Sequence, residues 1–246
     1  MPKVLLLGGT QEAMAIARRL AGDGVDALYS YAGRTTAPEA PPLPHRIGGF
    51  GGPEGLAAFL RDKGIRAVID ATHPFAAGMS RNALAACTAE GVPLIALERA
   101  PWVEEPGDQW SRVPDIAAAV HALPVDPTRI FLAIGRQTLA PFAARDHRYL
   151  LRLVDAPAAD PLPGATVIVD RGPFTLAGDL ALMQREGVQL IVAKNAGGSG
   201  AFAKIEAARR LRLPVVMIDR PAIPPRRVAA SVDEVMVWLH GADLGV

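Results

Sequence analysis

Apolar and polar positions fall into alternating blocks along the chain. Short unbroken apolar runs appear as KVLLL, VDALYSY, IRAVID and VPLIAL, and again as RIFLAI, YLLRLV, ATVIVD, VQLIVA and LPVVMI. Runs this short, apolar on both faces and rich in Val, Ile and Leu, suit strands covered on both sides, as in a parallel sheet. Between them lie segments with helical spacing. QEAMAIARRLAGDG, GPEGLAAFLRDKG, AAGMSRNALAACTAEG and VPDIAAAVHAL belong to the first half, and TLAGDLALMQREG, GAFAKIEAARRL and SVDEVMVWLHG to the second. Several end at glycine, the common stop signal of a helix. The pattern predicts an α/β fold of two Rossmann-like domains, with parallel sheets and a ligand cleft between them at the carboxyl ends of the strands. PVDPT carries two prolines that oppose regular structure, which sets the expected boundary between residues 1–124 and 125–246.

The halves also echo each other. GIRAVIDATHPFAAGMSRNALAACTAEGVPLIALERAP and GVQLIVAKNAGGSGAFAKIEAARRLRLPVVMIDRP both run strand, polar turn, Ala-rich helix, Pro-initiated strand, acid-Arg, Pro. Two copies of one architecture would give this, and so would any two strand–helix–strand units.

Composition narrows the function. Half of the 246 residues are hydrophobic, enough for a sizeable core, while aromatics reach only 5% and the formal net charge is +1. Few stacking groups and no strong field argue against a nucleic-acid partner or a membrane surface. The single cysteine, Cys87, excludes an internal disulfide framework, and the five histidines show no metal-ligand spacing, so no metal is expected. No apolar run is long enough to span a bilayer, and the expectation is a soluble, cytoplasmic protein, monomeric or a small homo-oligomer.

Candidate chemistry lies in the loops after the strands. LLLGGTQEA joins a strand to a helix through Gly8 and Gly9. Bare N–H groups at a helix start receive a phosphate when no side chain blocks them, which makes Gly9, Thr10, Gln11 and Glu12 candidates for the cofactor. The next strand ends YSYAGR, without the acid that grips the ribose of NADH. Ser30 and Arg34 stand there instead, and an arginine suits the extra phosphate of NADPH. The glycine-rich IGGFGG, with Gly49 and Gly51, permits close backbone approach, and in DATHPFA both Thr72 and His73 can face the cleft. Arg99, Arg136, Arg171, Lys194 and Arg220 each follow a strand, and Ser199 lies in the second glycine turn, KNAGGSGA. Together they suit a ligand with several carboxylates or phosphates. A P-loop, a zinc-protease helix and a nucleophile elbow with a triad are all absent.

LGGTQEA, GGFGG, DATHPFA, ERAPW, IGR, KNAGGSGAFAKIEAAR and the final DRP, taken in order from residue 4 to residue 221, resemble the precorrin-6A reductase family of cobalamin biosynthesis. The resemblance implies NADPH-dependent reduction of a tetrapyrrole-derived macrocycle, precorrin-6A to precorrin-6B, by hydride transfer and proton addition. It gives the cationic loops a partner in the macrocycle's acetate and propionate groups. Asp146, His147, His73 and solvent all stand open as proton donor, and the resemblance does not say whether the substrate holds cobalt. Two other readings use part of the same residues: a two-lobed NADPH-binding sensor without catalysis, and a two-domain glycosyltransferase.

Overall fold

The computed structural model describes residues 3–33 and 39–241. Arg34 lies outside the described residues. The chain divides into two compact units, Met1–Arg99 with Ala222–Val246, and Ala100–Pro221.

The first unit is built on six parallel strands: β1 (Val4–Leu7), β2 (Ala27–Tyr31), β3 (His45–Ile47), β4 (Ala67–Asp70), β5 (Leu94–Leu97) and, from the far end of the chain, β12 (Val228–Ala229). Their spatial order is β12-β5-β4-β1-β2-β3. Read from the other edge this is the doubly wound order of dinucleotide-binding sheets, with the switch point between β1 and β4. The helices are α1 (Gln11–Gly22), α2 (Gly52–Lys63), α3 (Ala77–Glu90) and α7 (Val232–Gly241). The apolar run of β1 has a direct cause. Val4 and Leu6 pack with Ile16, Leu20 and Trp238 on one face, and Leu5 and Leu7 with Leu56, Leu60 and Cys87 on the other. Each fully buried leucine contributes roughly 1.5–3 kcal/mol.

The second unit repeats the plan with β6 (Trp110–Val113), β7 (Arg129–Ala133), β8 (Arg148–Leu153), β9 (Thr166–Val169), β10 (Leu190–Lys194) and β11 (Val215–Ile218), in the order β6-β11-β10-β7-β8-β9. Its helices are α4 (Ile116–His121), α5 (Leu176–Arg185) and α6 (Ala203–Leu211). Phe131, Leu150, Met183, Ile191, Ile205 and Met217 form the core beneath α5 and α6.

The α/β class and the parallel sheets agree with the sequence pattern. The division falls elsewhere than at 124/125. β6 pairs with β11 and β12 with β5, so the chain enters the second unit before β6 and returns to the first after Pro221. The 124–128 segment joins α4 to β7 inside the second unit, where the carbonyls of Leu123 and Pro124 accept hydrogen bonds from Arg145 Nη2.

Candidate functional site

At the switch point of the first unit the two glycines of the β1–α1 turn have separate reasons. A side chain at Gly8 would meet the Tyr29 ring at 2.2 Å, so the residue must be bare. Gly9, at φ +115°, donates its N–H to the Tyr29 hydroxyl at 2.8 Å. The Thr10 hydroxyl is used twice: it caps α1 by accepting from Ala13 N–H (3.0 Å) and donates to the Ala71 carbonyl (2.9 Å). Gly9 and Thr10 therefore build the turn. At the positive end of α1 the Gln11 N–H is left, while the Glu12 N–H faces its own carboxylate.

The Glu12 carboxylate lies at this same helix end. Arg99 Nη1 donates to both of its oxygens, at 2.7 and 2.8 Å. Burial pushes the Glu12 pKa up, but the Arg99 bond, Glu12's own backbone N–H and the Arg99 charge outweigh it, and the carboxyl lies below its ordinary range. Arg99, expected among the substrate cations, is thus the partner of a residue expected at the cofactor.

β4 ends in Asp70, 2% exposed. Its carboxylate accepts from Thr72 N–H (3.1 Å) and Thr72 Oγ1 (2.7 Å). Thr72 is accordingly committed to shaping its own loop. Beside Asp70, burial and then the Asp70 charge push the Cys87 thiol up to about 12, which excludes a thiolate nucleophile. His73 is exposed, and its Nδ1 accepts Phe75 N–H at 3.2 Å, so the neutral ring carries its proton on Nε2.

Ser30 is buried on the last rungs of β2 and accepts from Arg46 Nη1 at 2.9 Å. Arg46 also donates to the carbonyls of Gly48 and Gly49, and Gly51 caps α2 at φ +82°. The sequence reading missed Arg46, because β3 is only three residues long, with His45 and Ile47 exposed, and shows no apolar run.

In the second unit, Arg136, Arg171, Lys194, Ser199 and Arg220 all follow carboxyl ends of parallel strands. Lys194 Nζ donates to Thr138 Oγ1 at 3.1 Å and so spans the switch point between β10 and β7. Arg171 lies 3.6 Å from Asp155, while Arg136 and Ser199 are exposed. Arg220 is structural: Nε and Nη2 donate to the carbonyls of Asn195 and Ala196, each at 3.0 Å. A side chain at Gly197 would collide with the Ala100 carbonyl (2.1 Å) and with Arg220 (2.4 Å). The same loop is clamped by Asn195, whose amide pairs with Trp102 N–H and C=O at 2.7 and 2.9 Å.

Asp146 does not join this group. It precedes β8, on the amino edge of the sheet, in a groove of about 340 Å³ that Arg145, His147, Tyr149 and Leu162 also line. His147 Nδ1 there accepts Thr128 N–H. The two ends of a parallel strand lie apart by its length, so Asp146 and His147 stand apart from Arg136, Arg171, Lys194 and Arg220 of the same unit, which lie at the carboxyl ends of its strands.

The profile of the precorrin-6x reductase CbiJ/CobK family matches residues 3–240. A precorrin-6A reductase of Rhodobacter capsulatus is 58% identical over 98% of this chain and 98% of its own. One from Sinorhizobium is 48% identical over 96% of this chain and 91% of its own. A cobalt-precorrin-6A reductase of Priestia megaterium is 31% identical, over 95% and 96%. A solved structure described as CobK precorrin-6A reductase superposes with a TM-score of 0.94 at 57% identity, covering 100% of this chain and 98% of that one.

Proposed function

The chain belongs to the precorrin-6x reductase family, and from that premise we propose that it reduces metal-free precorrin-6A to precorrin-6B with NADPH. The metal-free substrate is favoured by identity: the relatives named for precorrin-6A stand at 58% and 48%, and one named for the cobalt form at 31%. The observation that carries the reductant is the first unit's strand order, with a glycine turn at its switch point and no acid at the end of β2.

The residues fit a dinucleotide. Gly9, with open space where a side chain would stand, leaves the Gln11 amide at the start of α1 for a pyrophosphate, and Arg99 neutralises the Glu12 carboxylate that would otherwise repel it. When bound, NADPH would supply the hydride. Thr10 ties this turn to the β4 loop through Ala71, so the phosphate end and the His73 loop keep a fixed spacing. Asp70, by taking both donors of Thr72, holds that loop in one shape.

Hydride addition to a conjugated macrocycle is completed by a proton at carbon. His73 is the group we assign to deliver it, as an imidazolium that gives up its Nε2 proton and is left neutral; in the resting neutral ring Nδ1 instead accepts Phe75 N–H, and it takes the second proton when the acid form is made. Arg136, Arg171 and Lys194 are assigned to the macrocycle's carboxylates, with Ser199 beside them. Arg220 and Asn195 keep the Lys194 loop rigid from below.

The test is anaerobic incubation of the purified protein with NADPH and precorrin-6A. Nicotinamide oxidation matched mole for mole by a product heavier by one H₂ is expected. Binding of NADPH without turnover would support a sensor instead, and transfer of a sugar would support a glycosyltransferase.

A further inference from the structure

Arg46 sits where the adenosine end of a dinucleotide would arrive. In the parallel register Arg46 pairs with Ser30, and Ser30 with Leu7, so Arg46 stands level with the carboxyl-terminal residue of β1. Its guanidinium donates from Nη1 to Ser30 Oγ and Gly48 O and from Nη2 to Gly49 O, each at 2.9 Å. The group lies 4.0 Å from the centroid of the Phe50 ring and 5.4 Å from that of Phe59.

Every one of these partners is neutral. Among the described residues no carboxylate pairs with Arg46, whereas Arg18, Arg61, Arg99 and Arg226 of the same unit each have a glutamate. Burial pushes the Arg46 pKa down, as expected of a guanidinium partly removed from water without a counter-charge. A guanidinium carries five N–H donors. With three engaged, Nε–H and one Nη2–H stay available, a fork that matches phosphate oxygens.

We propose that Arg46 binds the 2′-phosphate of NADPH and so selects the phosphorylated cofactor, an assignment that rests on NADPH being the reductant. Stacking on Phe50 and the bond to buried Ser30 fix the guanidinium before the ligand arrives. The carbonyls of Gly48 and Gly49 orient the fork, so the glycine-rich loop serves as the frame of an anion site. Ser30, buried and bonded to Arg46, acts through it.

Titration calorimetry with 2′-phospho-ADP-ribose and ADP-ribose tests this without turnover. The wild type is expected to prefer the phosphorylated ligand. Arg46→Gln should weaken that ligand roughly 10- to 100-fold, the range for a charge-assisted contact, and leave ADP-ribose unchanged. Equal weakening of both ligands would make Arg46 a mere prop of the loop and overturn the assignment, as would no change in either. Should Arg46→Gln fail to fold, Arg46→Lys decides on the same two ligands: loss confined to the phosphorylated one supports the site, and equal loss overturns it. A wild type that binds both ligands alike would sink the NADPH reading itself, a result distinct from any change on substitution.

Discussion

The Tyr29 hydroxyl accepts the N–H of Gly9 at 2.8 Å, and its ring fills the space a side chain at Gly8 would need. A phenol on β2 thereby shapes the turn after β1. Gly8→Ala is expected to destabilise by about 1–3 kcal/mol through overpacking. Tyr29→Phe should cost about 1–2 kcal/mol, because the Gly9 amide loses its acceptor. Urea denaturation of both variants checks the pair, and a Gly8→Ala protein as stable as the wild type would show that Tyr29 yields easily.

Glu12 and Arg99 form a couple at the α1 terminus. Removing Arg99 as Ala leaves a carboxylate facing the phosphates, a repulsion of about 1 kcal/mol in a solvated site, or about fivefold in affinity. Glu12→Gln should instead tighten NADPH. Fluorescence titration of the two variants must therefore move in opposite directions; movement in the same direction would place the pair outside the cofactor's reach.

His73 and Asp146 separate cleanly in a kinetic comparison. His73→Gln should lower turnover by about 10²–10⁴-fold, the usual worth of a positioned acid, with NADPH affinity intact. Asp146→Asn, on the far edge of its sheet, should leave turnover unchanged. Loss of turnover in Asp146→Asn would reverse the two assignments.

Arg152 and Asp179 are buried together in the second unit, with side chains 6% and 3% exposed, and the Arg152 guanidinium lies 3.6 Å from the centroid of the Phe174 ring. Asp179→Ala should cost about 3–5 kcal/mol, because it strands a buried guanidinium. Arg152→Met combined with Asp179→Leu should recover most of that loss. Thermal melts of the single and double variants provide the measurement.

His147 gives the stability a pH dependence. Burial, then the Arg145 charge, lowers its pKa from the model-peptide value of 6.5. The unfolded chain therefore binds this proton more readily than the folded one. The contribution is complete above about pH 6.5 and is lost as pH falls through the folded value. Melting temperatures of His147→Gln should fall less steeply over that acid range than those of the wild type; parallel curves would remove His147 as the cause.

The long apolar strands and the Ala-rich helices were legible in the sequence because both faces of each sheet are covered. β3, β6 and β12 were not. They have three, four and two residues, lie at sheet edges, and are too short to show a period. Missing β6 and β12 moved the domain boundary, and missing β3 hid Arg46. The cations after the strands were found by position alone. Position says nothing of which protein groups a side chain also bonds, so the Arg99 bonds to Glu12 and the Arg220 bonds to the Asn195 and Ala196 carbonyls were not legible.

The exchange of edge strands also fixes the order in which the molecule can be completed during synthesis. The second unit is one uninterrupted stretch, so every strand of its sheet has been made once Pro221 leaves the ribosome. The first unit has by then been waiting since Arg99 with one sheet edge unpaired and with Ile16, Leu20 and Tyr29 lacking the cover of Val235, Trp238 and Leu239. The first unit is thus the last to close, and it does so with a segment that truncation after Pro221 would remove. Such a truncation would spare the unit carrying Lys194 and its clamped loop while leaving the sheet edge at β5 and the Ile16–Leu20 face of the first unit uncovered.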